Sequence, residues 1–349
     1  MSTPTKRVTR FESWVDAAFD VRIRQDTTID LRVLPVPGSA QAAHAALHDT
    51  HVFHISAAKG ELPRFCLADG ELLAHCPQLL CVSSYGAGYD PIDVPACTKA
   101  GIAVVNQAGG NAVSVAEHAL GLILSVARRI TESDRRLRYE RGFSREDLTG
   151  RELAGKTIGL VGIGHTGSRV AALAKAFHMR VLATDPLVAP DEIARRGARS
   201  VSLDELLAQS DVVSLHCPRA PATMKMIDAA AFAKFKPGAI FISTARGGIH
   251  DEQALAQALA SGRLSGAGLD VWETEPPPLD HPLLAFPTVV ATYHTAGVTT
   301  EARRNMASIS AEQIVGLMQG ERPPRLVNPE VWPAYALRFE RILGFPAQA

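Results

Sequence analysis

Three side chains in the second half of the sequence have the chemistry to handle a small organic acid. Arg246 stands in Ser243-Thr-Ala-Arg-Gly-Gly248, Glu275 in Leu269-Asp-Val-Trp-Glu-Thr-Glu-Pro276, and His294 closes Val289-Val-Ala-Thr-Tyr-His294. Each follows a short apolar run that reads as a β-strand, so all three fall at strand ends, the edge where open α/β sheets bind ligands. A guanidinium fork grips a carboxylate through two parallel hydrogen bonds, and an imidazole beside a carboxylate gives and takes a proton. Together they would serve the reduction of a 2-oxo acid, Arg246 holding the acid group and His294 protonating the nascent alkoxide. Taken singly, each has an ordinary alternative: a surface-loop charge, a helix or turn cap, a satisfied strand-end histidine.

Such a reduction needs a hydride, and the sequence has a place for its carrier. Gly162, Gly164 and Gly167 follow the apolar run Thr157–Val161 at the spacing G-x-G-x-x-G. The first glycine permits a sharp strand-to-helix turn, the second lets backbone approach a pyrophosphate, and the third lets helix and strand pack closely. Free N–H groups at the helix start would face the phosphates. Asp185 ends the next predicted strand about 20 residues on, where an acid binds the ribose hydroxyls of NAD and its charge repels the 2′-phosphate of NADP. Arg195 and Arg196, further on, complicate that preference if they fold back. The alternative is a plain glycine turn with Asp185 solvated.

The elements that must position these residues alternate. Strands at 30–36, 51–55, 79–83 and 101–105 interleave with helices at 39–48, 68–75 and 92–99, and a helix near 11–19 precedes them. A second alternation places strands at 157–161, 181–184, 212–216, 239–243, 267–271 and 289–292, with helices near 166–177, 203–209, 229–234 and 252–261. Strands alternating with helices imply parallel sheets covered on both faces. Between the two series, 111–130 reads as one long helix, apolar almost all round, with Ser114 and Glu117 spaced as a capping box. The charged stretch 131–152 is expected to cover surface. A helix over 300–319 and a tail from Asn328 return to the N-terminal part, and the site is expected between the two parts.

Composition excludes several function classes. Lys and Arg total 36, as do Asp and Glu, giving a formal net charge of +0 and no basic stripe for nucleic acid or anionic membrane. Hydrophobic residues at 46% with 21% charged describe a globular chain of about two domains. The cysteines Cys66, Cys76, Cys81, Cys97 and Cys217 include no C-x-x-C pair, which fits free thiols in a reducing compartment. The N-terminus, Met1-Ser-Thr-Pro-Thr-Lys-Arg, lacks the apolar core of a secretory signal. A cytoplasmic location is therefore expected. His44, His48, His51 and His54 are spaced like metal ligands but have no cysteine and few acids nearby; they read as structural or surface histidines, and no metal site is expected.

The order of these motifs resembles the D-isomer-specific 2-hydroxyacid dehydrogenase family. Matching segments include Tyr85-Gly-Ala-Gly-Tyr-Asp-Pro-Ile-Asp93, Asn111-Ala-Val-Ser-Val-Ala-Glu-His118, the glycine turn, Leu215-His-Cys-Pro218, Thr244-Ala-Arg-Gly-Gly248, the stretch 269–276 and His294-Thr-Ala-Gly-Val-Thr-Thr-Glu-Ala302. The resemblance runs from Cys81 to Arg303, plus Asn328-Pro-Glu. It implies an α/β fold of two doubly wound parallel-sheet domains. A central Rossmann NAD-binding domain, residues 109–298, would be inserted in a discontinuous flavodoxin-like substrate-binding domain, residues 1–108 and 299–349. Arg246, Glu275 and His294 align with the family's catalytic Arg, Glu and His, and Asp270 with the carboxylate near the nicotinamide ring. His165 and Thr166 in the glycine turn, the loop of His216, Cys217, Pro218 and Thr223 past the adenosine half, and Thr244, Ala245 and Gly297 complete the implied cofactor set. Ala87 and Gly88 would hold the substrate carboxylate through backbone N–H groups, and Asn111 would lie near the hinge and substrate. The long helix matches the element this family buries in a dimer interface, so a homodimer is implied.

Departures from the family pattern are informative. Tyr293 replaces the usual small residue before the catalytic His and would narrow the pocket. The first-domain loop Ile55-Ser-Ala-Ala-Lys-Gly60 lacks the Arg of many relatives; Lys59 is either its stand-in or a solvated lysine. Glu275 in place of Gln disfavours the formate-oxidising branch. Nothing beyond a short helix is expected after Trp332, so the effector control of longer relatives is not anticipated. The activity implied is NAD-dependent interconversion of a 2-oxo acid and its D-2-hydroxy acid. Alternatives are a nucleotide-sensing regulator on the same scaffold, like the C-terminal-binding-protein corepressors, and an enzyme of the family acting on a phosphonate or phosphite.

Overall fold

A computed structural model describes residues 5–348. The N-terminal residues 1–4 on which the leader reading partly rests, and the side chain of Lys59, lie outside what it describes. The chain divides into two compact units, one formed by the stretch up to Asn111 together with Thr299 onward, the other by Ala112–Val298.

The first unit alternates β1 (Lys6–Phe11), α1 (Ala17–Arg24), β2 (Ile29–Leu34), α2 (Ala40–Leu47), β3 (Val52–Ile55), α3 (Gly70–Ala74), β4 (Cys81–Ser84), α4 (Val94–Lys99) and β5 (Ala103–Val105). All its strands run parallel in the order β2-β1-β3-β4-β5, the flavodoxin-like winding. The region up to residue 24, unreadable by periodicity, holds the interior strand β1 and a helix displaced from 11–19 to Ala17–Arg24. Asp16 sets that helix start by accepting the Ala18 N–H at 2.9 Å.

The second unit contains α5 (Ala112–Ala127), α6 (Ile130–Tyr139), β6 (Thr157–Val161), α7 (His165–Ala176), β7 (Arg180–Thr184), α8 (Pro190–Arg195), β8 (Arg199–Ser200), α9 (Leu203–Gln209), β9 (Val212–Leu215), α10 (Ala229–Lys234), β10 (Ala239–Ser243), α11 (Glu252–Ala260), β11 (Leu264–Leu269) and β12 (Val289–Ala291). Its seven parallel strands lie in the order β12-β11-β10-β9-β6-β7-β8, so the winding reverses between β6 and β9. That reversal is the topological switch point at which doubly wound sheets bind dinucleotides. α8 and β8 were not expected from the sequence.

The predicted helix over 111–130 is α5, which stops three residues short at Ala127. Arg129 has φ +53°, a left-handed conformation that ends α5 and starts α6 inside the stretch expected to be only surface cover. Ser114 is no cap either: it is buried inside the first turn of a helix that begins at Ala112, with Glu117 exposed.

After the second unit the chain returns to the first as α12 (Thr300–Met318) and α13 (Trp332–Leu343). Ala311, Ile314 and Met318 of α12 and Tyr335 and Phe339 of α13 are buried with Val8, Val52 and Ala103 in one apolar core. Asn328 pins the return: its side-chain oxygen accepts the Val104 N–H at 2.9 Å, and its amide donates to the Ile102 carbonyl at 3.1 Å. The five cysteines are free, and burial pushes the Cys66 and Cys76 thiols up to about 11. Among the described residues no helix is long and apolar enough to cross a membrane.

Candidate active site

Strand β6 ends in Gly162, whose φ of +93° is open to glycine without strain. A Cβ there would sit 2.8 Å from the Cys217 nitrogen, so the loops after β6 and β9 meet backbone to backbone at the switch point. A Cβ on Gly167 would lie 2.2 Å from the Gly162 carbonyl oxygen, which is why helix α7 can begin tight against the strand. Gly164, the residue before α7, has nothing within 4 Å of where its Cβ would be, and no side chain caps the helix. An uncapped helix start with open space before it is the cradle a pyrophosphate needs.

Asp185 holds this turn. Its Oδ2 accepts the Ile163 N–H and its Oδ1 the Leu187 N–H, each at 3.0 Å. Arg196 does fold back, donating from Nη1 to the Ile163 carbonyl at 2.7 Å, while its Nε is paired with Glu192 at 2.7 Å. Arg195 pairs with Glu192 as well. After β9, the His216 ring is bonded to Ser214 Oγ at 2.9 Å, and burial lowers its pKa to about 4, which keeps it neutral. Thr223 ties its own loop by donating to the Pro218 carbonyl and accepting the Ala220 N–H, both at 2.8 Å. His165 and Pro218 are exposed, Thr166 half-buried. Thr244 is buried, and its hydroxyl has no hydrogen-bond partner among the described residues. An orphaned hydroxyl on this sheet edge is a group that a bound cofactor can satisfy.

The next loops along the same edge carry Arg246, Glu275 and His294. A Cβ on Gly247 would be 1.8 Å from the Trp272 carbonyl oxygen, so the loop after β10 lies directly on the loop after β11. Arg246 donates to the carbonyl of Ala245 at 2.7 Å, and its charge reaches Glu275. Glu275 Oε1 accepts the Trp272 N–H at 3.1 Å, and the Trp272 indole donates to the Thr292 carbonyl at 3.1 Å. Glu275 Oε2 stands 2.8 Å from His294 Nδ1. A carboxylate only accepts, so Nδ1 carries the hydrogen and Nε2 is the nitrogen left to exchange a proton. Burial alone would raise the Glu275 pKa; the His294 hydrogen bond and charge, the Trp272 N–H and Arg246 outweigh it and hold the carboxyl below its ordinary value. His294 has φ +48°, a left-handed conformation costing a side-chain-bearing residue roughly 1–2 kcal/mol. Its N–H donates to the Asp270 carbonyl at 2.7 Å, which helps hold the bend that aims the ring.

Asp270 is fully buried. Its carboxylate accepts the Thr292 hydroxyl at 2.5 Å, the Thr295 N–H at 2.8 Å and the Ala296 N–H at 2.9 Å. His118 of α5 lies 3.6 Å from Asp270 Oδ1 and 3.0 Å from Thr292 Oγ1. Sequence reasoning missed His118, though a titratable side chain in an otherwise apolar helix was a signal. It also missed the pair beneath the Glu275 loop, where Glu252 Oε1 accepts the Glu273 N–H at 2.8 Å and Oε2 meets His281 Nε2 at 3.0 Å. An acid in the first turn of α11 was the cue for that brace.

In the first unit the loop after β4 is built from its carbonyls inward. Asn106 donates to the Ala87 carbonyl at 2.8 Å, Gln107 to that of Ser84 at 2.9 Å, and Ser84 Oγ to that of Gly88. The N–H groups of Ala87 and Gly88 make no hydrogen bond among the described residues. Asn111 is the last residue of this unit before α5, and Gly297 is half-buried near the end of the second. Tyr293 is 59% exposed. Three of the four spaced histidines go separate ways: His44 stacks on His75, His51 accepts the Arg7 N–H at 2.9 Å, and His54 is sandwiched between Phe19 and Tyr85.

Residues 120–296 match the family profile described as D-isomer specific 2-hydroxyacid dehydrogenase, NAD binding domain. The chain belongs to the D-isomer-specific 2-hydroxyacid dehydrogenase family. It is 43% identical over 267 residues to D-3-phosphoglycerate dehydrogenase of Archaeoglobus fulgidus, a match covering 76% of this chain and 50% of that one. The chain thus spans about half the length of the phosphoglycerate dehydrogenases it matches. A glyoxylate reductase of Thermofilum pendens is 42% identical over 267 residues, covering 75% of this chain and 79% of that one. Among solved structures, a glyoxylate reductase from Paecilomyes thermophila superposes with a TM-score of 0.83 at 28% identity, covering 94% of this chain and 99% of that one. The matched profile is that of an NAD-binding domain, and the open helix start after Gly164 and the orphaned Thr244 hydroxyl within it fit a nicotinamide dinucleotide.

Proposed function

We propose that this chain is an NAD-dependent oxidoreductase that interconverts a 2-oxo acid and its D-2-hydroxy acid. The observation that carries the reading is the His294–Glu275 pair at 2.8 Å, set on the same sheet edge as Arg246 and the glycine turn. When bound, the reduced nicotinamide supplies a hydride to C2 of the acid. His294, protonated, gives the proton on Nε2 to the carbonyl oxygen; Glu275 keeps the ring oriented through Nδ1 and stabilises its charge. Arg246 clamps the substrate carboxylate and polarises the carbonyl. The family resemblance makes the unengaged N–H groups of Ala87 and Gly88 further donors for that carboxylate and assigns Asn111 to the substrate's surroundings.

Gly162, Gly164, His165, Thr166 and Gly167 would hold the pyrophosphate and Asp185 the adenosine ribose, with His216, Cys217, Pro218 and Thr223 along the adenosine half. Thr244, Ala245, Asp270 and Gly297 complete the nicotinamide end. NAD is preferred over NADP because Asp185 opposes a 2′-phosphate. The enzyme is read as a cytoplasmic homodimer that pairs through the nucleotide domain.

The test is NADH oxidation across glyoxylate, hydroxypyruvate, pyruvate, phenylpyruvate and branched 2-oxo acids, repeated with His294→Ala. At least one acid should be reduced, and the variant should lose roughly 10²–10⁴-fold in rate. Undiminished reduction by His294→Ala, or none by the wild type with any acid, overturns the reading.

A further inference from the structure

Two glycines of β11 set the distance of helix α5. A Cβ on Gly268 would be 2.8 Å from Leu122 Cβ, and one on Gly266 would be 2.7 Å from Val126 Cγ1. Leu122 and Val126 lie one and two helical turns beyond His118, and Gly268 and Gly266 lie two and four residues before Asp270 on alternate strand positions. The helix face 118-122-126 therefore runs down the strand face 270-268-266, and the close packing lower down brings His118 to Asp270. The result is a buried carboxylate with an imidazole 3.6 Å away and a threonine hydroxyl between them.

Among the described residues, that imidazole forms its ion pair with Asp270. Strands β10, β11 and β12 carry no ionisable side chain; those of α7, His165, Arg169 and Lys175, are exposed; and Glu132 of α6 is paired with Arg129. Glu117, next to His118 on its own helix, is exposed. From the loops after β11 and β12, Glu275 and His294 are paired with each other. Asp270 is the charge His118 faces.

We propose that the imidazolium of His118 and the oxidised nicotinamide ring are alternative counter-cations for Asp270, so that this chain discriminates NAD+ from NADH through His118. This rests on the reading that Asp270 adjoins the nicotinamide. A fully buried carboxylate is stabilised by one nearby positive charge, and a second cation gains less and repels the first. Binding of NAD+ therefore expels the His118 proton to solvent, while binding of neutral NADH leaves it in place. By reciprocity, NAD+ binds more weakly as the pH falls and His118 is protonated, and NADH does not.

Calorimetric titration of each nucleotide in buffers of different ionisation heat counts the protons released, and repeating it between pH 8 and pH 6 gives the affinities. The expected result is more proton released with NAD+ than with NADH. The NAD+ to NADH affinity ratio should fall by about threefold or more over that range, within the limit of tenfold per unit for one linked proton. Both effects should vanish in His118→Gln and in His118→Asn, and persist in His294→Gln. Equal proton release for the two nucleotides in the wild type, or a difference that survives both His118 variants, overturns the proposal. Asp270→Asn separates the two levels. If it leaves the NAD+ to NADH ratio untouched, the placement of Asp270 beside the nicotinamide fails and this proposal falls with it; if the ratio moves and the His118 variants change nothing, only the role of His118 fails.

Discussion

Glu275 uses its two oxygens for two different tasks: one accepts the Trp272 N–H at 3.1 Å, the other lies 2.8 Å from His294 Nδ1. The first fixes the carboxylate to its own loop, and the second transfers that fixity to the imidazole. The same pairing makes the charge state of one group depend on the other.

Replacing Glu275 by Gln removes the negative charge while keeping an acceptor. Reduction needs the imidazolium, which then gives up its proton at lower pH, so the optimum for reduction should move toward acid by about one unit. Rate–pH profiles of wild type and variant check this. In the wild type, the pair's contribution to stability has its own pH window. The Glu275 pKa is depressed in the folded protein, so the contribution is complete above the ordinary carboxylate range and lost as the pH falls through the depressed value.

The brace under the Glu275 loop is separable from the chemistry. Glu252→Ala frees the Glu273 N–H and strands His281, whose ring packs edge-on against Trp272 at 5.5 Å. The expected outcome is a fall in kcat of about tenfold, with cofactor affinity unchanged and altered Trp272 fluorescence. Glu252→Gln, which keeps an oxygen for the Glu273 N–H, should recover most of the loss.

Two glycines of one motif should fail in opposite ways. Gly167→Ala places a Cβ 2.2 Å from the Gly162 carbonyl and should destabilise the fold by about 1–3 kcal/mol, seen as a lowered Tm. Gly164→Ala meets nothing within 4 Å and should keep its Tm while losing dinucleotide affinity, because its methyl fills the cradle. Thermal melts and nucleotide titrations distinguish the two.

Asp185→Ser removes the charge that opposes a 2′-phosphate and also an acceptor of the Ile163 N–H. NADP turnover should rise and NAD turnover fall, narrowing their ratio of kcat/KM by about tenfold or more. Arg196, already folded onto the Ile163 carbonyl, lies near enough to the turn to favour the change.

Much of this protein was legible because its signals are local. Short apolar runs gave β6, β9 and β10, and the glycine spacing gave the turn into α7. Arg246, Glu275 and His294 were singled out because each lies at or beyond the end of such a run and because the order of the motifs resembles a known family. What escaped depends on tertiary packing or on single backbone angles. Nothing in the apolar pattern of 111–130 announces that Arg129 turns left-handed and starts a second helix, α6, in the charged stretch beyond α5. β1 escaped because its sequence, Lys-Arg-Val-Thr-Arg-Phe, has only two apolar residues among polar and charged ones, although most of it is buried. His118 escaped for a different reason: its partner lies 152 positions away in the chain, and only the glycines of β11 bring the two together.

The close approach of Gly247 to the Trp272 carbonyl has a mechanical consequence. Two loops that touch backbone to backbone, with no side chain to compress, move as a single plate, so Arg246 and Glu275 cannot be retuned one at a time by shifting either loop. Evolution or engineering of a new substrate range is then steered toward side chains that project freely from this plate, and Tyr293, 59% exposed beside His294, is the one most open to change.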